Sequence, residues 1–569
     1  MSGDVQPNNG EKATTPHLFV RRPTSAVGVV ALIGAFLFGP ALACPLFLDD
    51  HLQVAMIAGR YPVSRSPWNL YDFISDADRA VLTERGMLPW WSDPELRLRF
   101  FRPLSSLLLW ADHHVLGERP FPLHLHSFLW WLAAVAAAYR LLGALFRDRV
   151  VVSVATIAFA VAPCHVLPLA WLANREALVA VAFGLLALGE SVHYANTGEL
   201  RRLLAAGAAF CAALLAGEYA LCLLGYAAAP FLLAKGRRKL SILGLFGLPT
   251  VATLLVRRLY GFGAHGSGFY TDPFDAPSLF ASHAPRRALV LSLEGWLGLD
   301  GETLPATGYL PVLFFLLFAT ALVVAPAVYR AVRALPGEER RSAVAILVGA
   351  FLAMIPVLAV IPSPRLLGAA QLGISLVTAL VATHYWRGSG GSALATTLLL
   401  FIAFVHAPVT SALDGLRLRA RTTQFLAATP SLEAPVGRGD EVMILRGRDG
   451  AFFAPFALSQ TPHARFQMLA QSNHVLVLRR GAQSLELVYP RGRPIVGSMN
   501  LFRDGSKPLH TGDTFAAPGI HITVLAEDPG RVRFDFDAPL DQARFWANET
   551  ATEFAAVPLP AIGFGLPLR

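Results

Sequence analysis

Charge is what this chain has least of. Only 15% of its 569 residues are Asp, Glu, Lys or Arg, against 54% hydrophobic, and the mean hydropathy is +0.49. So small a supply of charge cannot clothe a soluble surface of this size, which excludes an ordinary soluble globular protein. Cysteine is sparse too. Cys44, Cys164, Cys211 and Cys222 all lie in or at the ends of apolar runs, with neither metal-type spacing nor a disulfide framework, and read as small packing residues. No His-Glu-x-x-His or Cys-x-x-Cys occurs. The sequence therefore calls for no cofactor, and a divalent metal held by two adjacent carboxylates would need water or substrate as further ligands. A Gly-rich phosphate loop is missing, as is an Asp-x-Asp within a Rossmann-like soluble domain, which argues against a nucleotide-sugar enzyme. No internal repeat or low-complexity tract stands out.

The charge that is present is ordered along the chain. The formal net charge is +9, yet Arg and Lys fall in short clusters between apolar runs, the layout of cytoplasmic membrane loops and not of a nucleic-acid surface. Residues 1–24 are polar, end near Arg21-Arg22 and read as a disordered cytoplasmic tail. Spans are expected at about 25–48, 124–146, 150–167, 175–194, 203–217, 219–234, 241–256, 306–328, 343–361, 367–386 and 392–410, about eleven in all. Arg147 and Arg149, Arg201 and Arg202, the run 235–239, Arg330, Arg333, Arg340, Arg341 and Arg387 mark the inner turns. That bias places the N-terminus in the cytoplasm, and an odd number of spans places the C-terminus outside. Ala41-Leu42-Ala43-Cys44 resembles a lipobox, but the apolar stretch is longer than an ordinary signal core and further spans follow, so retention is expected.

Two stretches lie outside this pattern. The loop 49–101 carries an amphipathic segment at 51–60, then Trp68, Tyr71 and Pro89-Trp90-Trp91, aromatics suited to the headgroup level, so it should lie along the membrane surface. Pro103 suits the first turn of a helix continuing to about Leu116. From 411 to 569 no run is long enough to span. Strand-like pieces at 441–445, 474–478, 485–489, 520–525 and 531–536 alternate with turns at 448–450, 503–505 and 528–530, the signature of an antiparallel sandwich or small barrel. An interfacial helix with Arg417, Arg419 and Arg421 is expected over 412–428. The expected fold is a polytopic α-helical membrane protein: a transmembrane domain over 25–410, with 49–101 as its first periplasmic loop, and a C-terminal β-rich periplasmic domain over 411–569.

The organising corner is 46–102. Asp49 and Asp50 follow the first apolar run at once, and paired carboxylates at a span's end are expected to face a water-filled cavity. Arg102, Arg175-Glu176, Glu218, Arg257-Arg258 and Arg365 fall near the same ends of later spans, while His124 and His165 are interfacial or packing histidines on the bland reading and site residues on the sharper one. Acids and guanidinium groups on one side of a bundle suit a reaction in which a carboxylate takes a proton from a hydroxyl while Arg holds a departing phosphate. Each charge also has a plain structural reading, as helix cap, snorkelling side chain or loop charge.

Asp49-Asp50, then Phe101-Arg102-Pro103-Leu104-Ser105-Ser106, Asp112, Gly117, Pro120, His124-Leu125, Pro163-Cys164-His165-Val166 and Ala170-Trp171-Leu172-Ala173-Asn174-Arg175-Glu176, resemble the GT-C superfamily of polyprenyl-phosphate-sugar-dependent glycosyltransferases. The pattern is similar to the TMTC-type and protein O-mannosyltransferase branch, and more distantly to the aminoarabinose transferases. It covers roughly 27–260, is looser to 410 and absent beyond. Ser127 stands where the pattern has Asn, Trp131 where it has His, and the helical repeats that follow the membrane part in TMTC proteins are missing.

The resemblance implies an inverting, mannosyltransferase-like enzyme of the bacterial inner membrane. Its donor would be a polyprenyl-phosphate sugar in the lipid phase, and its acceptor a hydroxyl of a protein or envelope glycan. It implies Asp49 or Asp50 as base, Arg102 and Arg175 at the phosphate, and Arg257 or Arg258 as a looser match. The alternative is a transporter or flippase for a lipid-linked or anionic substrate, for which matching broken helices in two halves would speak; no such symmetry is visible. A non-catalytic assembly protein whose β region does the work is a third reading.

Overall fold

Apolar runs can leave water only as helices, because every backbone N–H and C=O must then be bonded within its own segment. The computed structural model describes residues 23–300, 310–388, 390–428, 441–447, 453, 465–472, 474–490, 500–550 and 553–568. Its helices are α1 (Pro23–Leu42), α2 (Asp49–Ile57), α3 (Arg79–Glu84), α4 (Pro103–Leu116), α5 (Pro120–Leu145), α6 (Arg149–Ala160), α7 (Val166–Ala170), α8 (Arg175–Thr197), α9 (Leu200–Ala216), α10 (Ala228–Leu233), α11 (Arg238–Leu259), α12 (Pro277–Leu297), α13 (Leu310–Arg333), α14 (Gly337–Val357), α15 (Gln371–Trp386), α16 (Ala393–Phe401) and α17 (Ala407–Ala428). The expected tail falls almost wholly outside the described residues, as does the turn 448–450.

Among the described residues six helices are long and apolar enough to cross a bilayer: Pro120–Leu145, Leu172–Thr197, Arg238–Leu259, Leu310–Arg333, Gly337–Val357 and Ala393–Ala427. Helices α6 and α7, bent by 49° at Pro163, make a seventh if taken as one span. The chain is an integral membrane protein, but length and composition do not deliver the expected eleven spans. Each of the eleven stretches coincides with helical backbone. Several, however, are too short: α9 and α15 hold 17 and 16 residues, and Gly28–Leu42 and Glu218–Leu233 are shorter apolar helices. The first ten residues of the last, Glu218–Ala227, form a 3₁₀ helix, whose rise of about 2 Å per residue stretches a short segment.

Two further differences have local causes. Helix α12 is not announced by hydropathy, because Pro285, Arg286 and Arg287 interrupt its apolar pattern. The interfacial helix expected at 412–428 is not a separate element. A π turn at Ile402–His406 joins α16 to α17, so the last apolar run and its Arg-bearing extension form one helix.

The helices close on small residues. A Cβ placed on Gly225 would stand 3.1 Å from the Gly349 carbonyl oxygen, and one on Gly349 only 2.7 Å from the Tyr226 ring, so α14 and the 3₁₀ segment touch backbone to backbone. Tyr226 then donates to the Ala369 carbonyl at 2.7 Å. At one end of the bundle the basic turns meet. Arg387 pairs with Asp148 at 2.5 Å, Arg330 donates to the Gly390 carbonyl and Arg238 to those of Ala195 and Asn196.

The opposite end carries the strands. The first loop gives β1 (Asp72–Ile74) and β2 (Arg97–Arg99), which make a three-stranded antiparallel sheet with β3 (Gly263–His265). The C-terminal region gives β4 (Glu441–Arg446), β5 (Arg465–Met468), β6 (Val475–Arg479), β7 (Ser484–Tyr489), β8 (Thr514–Ala517), β9 (Ile520–Glu527), β10 (Gly530–Phe536), β11 (Arg544–Thr550), β12 (Glu553–Ala556) and β13 (Gly565–Leu568). One sheet, in the order β13-β6-β7-β10-β9-β8, is antiparallel throughout, and alternate residues of β10 face its core. The second, β12-β11-β4-β5, departs from the antiparallel expectation: β4 runs parallel to both β5 and β11. Only tertiary pairing of distant segments produces such a ladder, so local turn signals do not foretell it.

The tryptophans of the first loop do not all stand at a surface. Trp91 is fully buried and Trp90 nearly so, in an apolar core that the loop shares with the C-terminal sheets, whereas Trp68 is exposed. Trp90 packs edge-on against Phe515 and Phe534 and donates its Nε1–H to the Leu469 carbonyl at 2.9 Å. Arg503 donates to the Trp91 carbonyl at 2.6 Å, and the Asp93 amide to the Phe502 carbonyl at 2.7 Å. Burying an indole together with its N–H is worth several kcal/mol. Trp90→Ala should lower stability by about 3–5 kcal/mol and expose the C-terminal sheets to protease, checked by limited proteolysis and thermal unfolding in detergent.

Candidate active site

Pro45 follows α1, and the chain turns through 46–48 into α2. Leu48, at the turn, has φ 44°, and among the described residues no other non-glycine residue has a positive φ. A side chain there costs about 1–3 kcal/mol of backbone strain, so something must hold it. Asp50 does. Its carboxylate, 1% exposed, accepts from the amides of Phe47 (2.9 Å), Leu172 (3.3 Å) and Ala173 (2.8 Å), tying the turn to the 3₁₀ segment Leu172–Asn174 that leads into α8. Burial lifts its carboxyl to about 7, against the pull of those amides and with Asp49 adding to the rise. With its acceptors engaged by backbone, Asp50 is a structural clamp.

Asp49 differs. It is half-buried, and among the described residues no hydrogen bond ties its carboxylate. Burial raises it to about 6, while the fields of Arg365 and Arg102 hold it from rising further.

Arg102 stands just before α4, where Pro103 starts the helix and fixes the direction of the side chain. Its guanidinium lies between the rings of Phe100 (4.6 Å) and Tyr71 (4.9 Å), pairs through Nη1 with Glu176 at 2.9 Å and donates through Nε to Glu218 at 2.7 Å. Glu176, at the start of α8, and Glu218, at the start of the 3₁₀ segment, are thereby brought to one point. Arg365, on the short 3₁₀ turn Pro364–Leu367, lies over the Trp171 ring at 5.1 Å and within the field of Asp49 and Glu176. The cluster thus joins Asp49, Arg102, Glu176, Glu218 and Arg365.

Other expected members lie elsewhere. Arg175, 2% exposed, turns away: it pairs with Asp112, donates through Nε to Ser127 at 2.8 Å and through Nη2 to the Leu123 carbonyl at 2.7 Å. Consecutive helical residues point about 100° apart, so Arg175 and Glu176 cannot share a face. Arg102 and Arg175 therefore pair with different acids, Glu176 and Glu218 for the first and Asp112 for the second. His124 bonds the Leu169 carbonyl and His165 that of Phe159, each buried, and the other ring nitrogen of His124 has no partner among the described residues. Arg257 pairs with Asp272 beside the cluster, and its field reaches Glu218; Arg258 is exposed and meets Asp275 at 3.5 Å. Among the described residues no three His, Cys, Asp or Glu stand close enough together to hold a metal ion.

No family model matches the sequence. No curated protein matches it either. Among solved structures the chain is similar to ArnT from Cupriavidus metallidurans bound to undecaprenyl phosphate, at 11% identity and TM-score 0.43, over 79% of this chain and 87% of that one. It is also similar to the Archaeoglobus fulgidus oligosaccharyltransferase tethered with an acceptor peptide, at 12% identity and TM-score 0.40, spanning 79% of this chain but 64% of that one. The oligosaccharyltransferase AglB from the same organism, in complex with an inhibitory peptide and a dolichol-phosphate, matches at 13% identity and TM-score 0.37, over 77% of this chain and 60% of that one. Likenesses of this size place the chain in no family, and the chemistry must come from its own residues.

Sequence reasoning missed Trp171, Asn174, Tyr219 and Tyr270. Tyr219 and Tyr270 lie in the field of Arg365, Arg102 and Glu176, and Tyr270 also in that of Asp49. Trp171 and Asn174 stood inside a motif read for its charges, and Tyr219 directly follows Glu218, so a polar atom on an otherwise apolar side chain was the available signal. Asp50→Asn removes an acceptor from a buried set and should cost about 1–3 kcal/mol, whereas Asp49→Asn should shift stability by no more than about 0.5 kcal/mol. Paired thermal unfolding of the two variants checks this.

Proposed function

We propose that the protein is an inverting membrane glycosyltransferase that moves a sugar from a polyprenyl-phosphate carrier to a hydroxyl of a protein or envelope glycan. The observation that carries this reading is Asp49: a half-buried carboxylate with no hydrogen bond among the described residues, lifted to about 6 within the field of two guanidinium groups at the end of a membrane bundle. The acceptor O–H gives its proton to Asp49, and its oxygen forms a bond to the anomeric carbon. The bond from that carbon to the phosphate oxygen breaks with its electron pair passing to the phosphate. Arg365 and Arg102 stabilise the charge that develops there, donors set in advance where charge appears. A single displacement of this kind inverts the anomeric centre. Arg102 also carries Glu176 and Glu218.

The lipid carrier and the side of the membrane are part of the same proposal. Asp49 lies at the end of the bundle that bears the strands, and the basic turns gather at the other. By the positive-inside rule the basic end is cytoplasmic, which sets the site and the C-terminal sheets on the periplasmic side of an inner membrane. A lipid-borne donor is the natural choice there, away from nucleotide pools. The mannosyl-type specificity suggested by the motif pattern belongs to this proposal as well.

The purified protein in nanodiscs, given a radiolabelled polyprenyl-phosphate hexose and an acceptor extract, is expected to transfer label. Asp49→Asn should cut the rate by about 10²–10⁴-fold, the range for loss of a general base. Because the base works deprotonated, kcat/KM should rise tenfold per pH unit below about 6 and level off above it. Full activity in Asp49→Asn, a profile flat across pH 6, or movement of lipid across the bilayer without transfer would defeat the proposal.

A further inference from the structure

Buried polar atoms are almost always bonded, and each exception needs an explanation. Among the described residues four such atoms without a partner surround the charged cluster: Trp171 Nε1, Asn174 Oδ1, Glu176 Oε2 and Tyr219 Oη. Their residues are held in place by other contacts. Asn174 turns its Nδ2 to Glu176 Oε1 at 3.3 Å, Glu176 shares that same oxygen with Arg102, and Trp171 lies beneath Arg365. Asn174, Glu176 and Tyr219 are 2%, 1% and 7% exposed, while Asp49, Arg102, Trp171, Glu218 and Arg365 are half-buried. The four atoms thus lie beside one charged cluster.

Their chemistry is mixed. Trp171 Nε1 can only donate, Glu176 Oε2 as a carboxylate and Asn174 Oδ1 can only accept, and Tyr219 does either. A phosphate diester would serve the donors and leave Asn174 Oδ1 unmet, and a metal ion would serve the acceptors and leave the indole N–H unmet. A group bearing several hydroxyls answers all four, since each O–H donates and accepts.

Resting on the transferase reading above, we infer that Trp171, Asn174, Glu176 and Tyr219 hold the hydroxyls of the hexose on the lipid carrier and select the sugar, apart from the groups that hold its phosphate. Asp49, Arg365 and Arg102 then act at the reacting bond, and the four act around the ring. Leaving such atoms unmet when a hydroxyl is missing is also what would let the site discriminate between sugars.

The test measures binding of two lipids to the full-length protein in nanodiscs: a polyprenyl phosphate, and the same lipid carrying glucose, galactose or mannose. Wild type should bind at least one glycosylated lipid more tightly than the bare phosphate. Tyr219→Phe removes one polar atom and keeps the ring. It should reduce that advantage about three- to tenfold, leaving the Kd of the bare lipid within about twofold and thermal unfolding unchanged. The inference is overturned if this variant keeps the wild-type advantage, or if wild type binds the two lipids equally while still transferring sugar. If wild type binds neither lipid and transfers nothing, the transferase reading itself has failed, and this inference with it.

Discussion

One buried carboxylate fixes the geometry of the candidate site. Asp50 gathers the amides of Phe47, Leu172 and Ala173, joining two corners of the chain 122 positions apart. A carboxylate accepting several backbone N–H groups is a strong, directional tie in a low-dielectric setting. It holds Leu48 in its left-handed turn and leaves the neighbouring Asp49 free to face Arg365 and Arg102. Two adjacent acids in one sequence thus differ in their surroundings, one spent on backbone amides and the other beside two guanidinium groups, and only the tertiary contacts distinguish them.

The cluster brings three carboxyl groups, Asp49, Glu176 and Glu218, to two guanidinium groups, Arg102 and Arg365. Arg102, spread between two of those acids and sandwiched by two rings, is fixed in place. Arg365 sits on a short turn over the Trp171 ring.

Above the cluster, the first loop and the C-terminal sheets form one body. Trp90 and Trp91 anchor it, and the three-stranded sheet of β1, β2 and β3 ties the loop to the segment after α11. Paired Arg99 and Asp72 on neighbouring strands brace that sheet beside the ring of Phe262. The first loop also reaches the cluster through Tyr71 and Phe100, whose rings hold the Arg102 guanidinium.

The sequence by itself determined the class of the molecule, because hydropathy and the spacing of Arg and Lys act locally and are read residue by residue. Helix α4 starting at Pro103, the strands around 485–489, 520–525 and 531–536, and the gathering of Asp49, Arg102, Glu176, Glu218 and Arg365 near one end were legible in the same way. The tertiary structure alone decided that Arg175 faces Asp112 and not the cluster, that Asp50 is spent on amides, that Trp90 enters a core, and that β4 pairs in parallel with β5 and β11. These depend on which distant segment arrives opposite a given side chain. A local pattern sets where a residue sits along its helix, while the partner that satisfies its charge or its hydrogen bonds comes from packing.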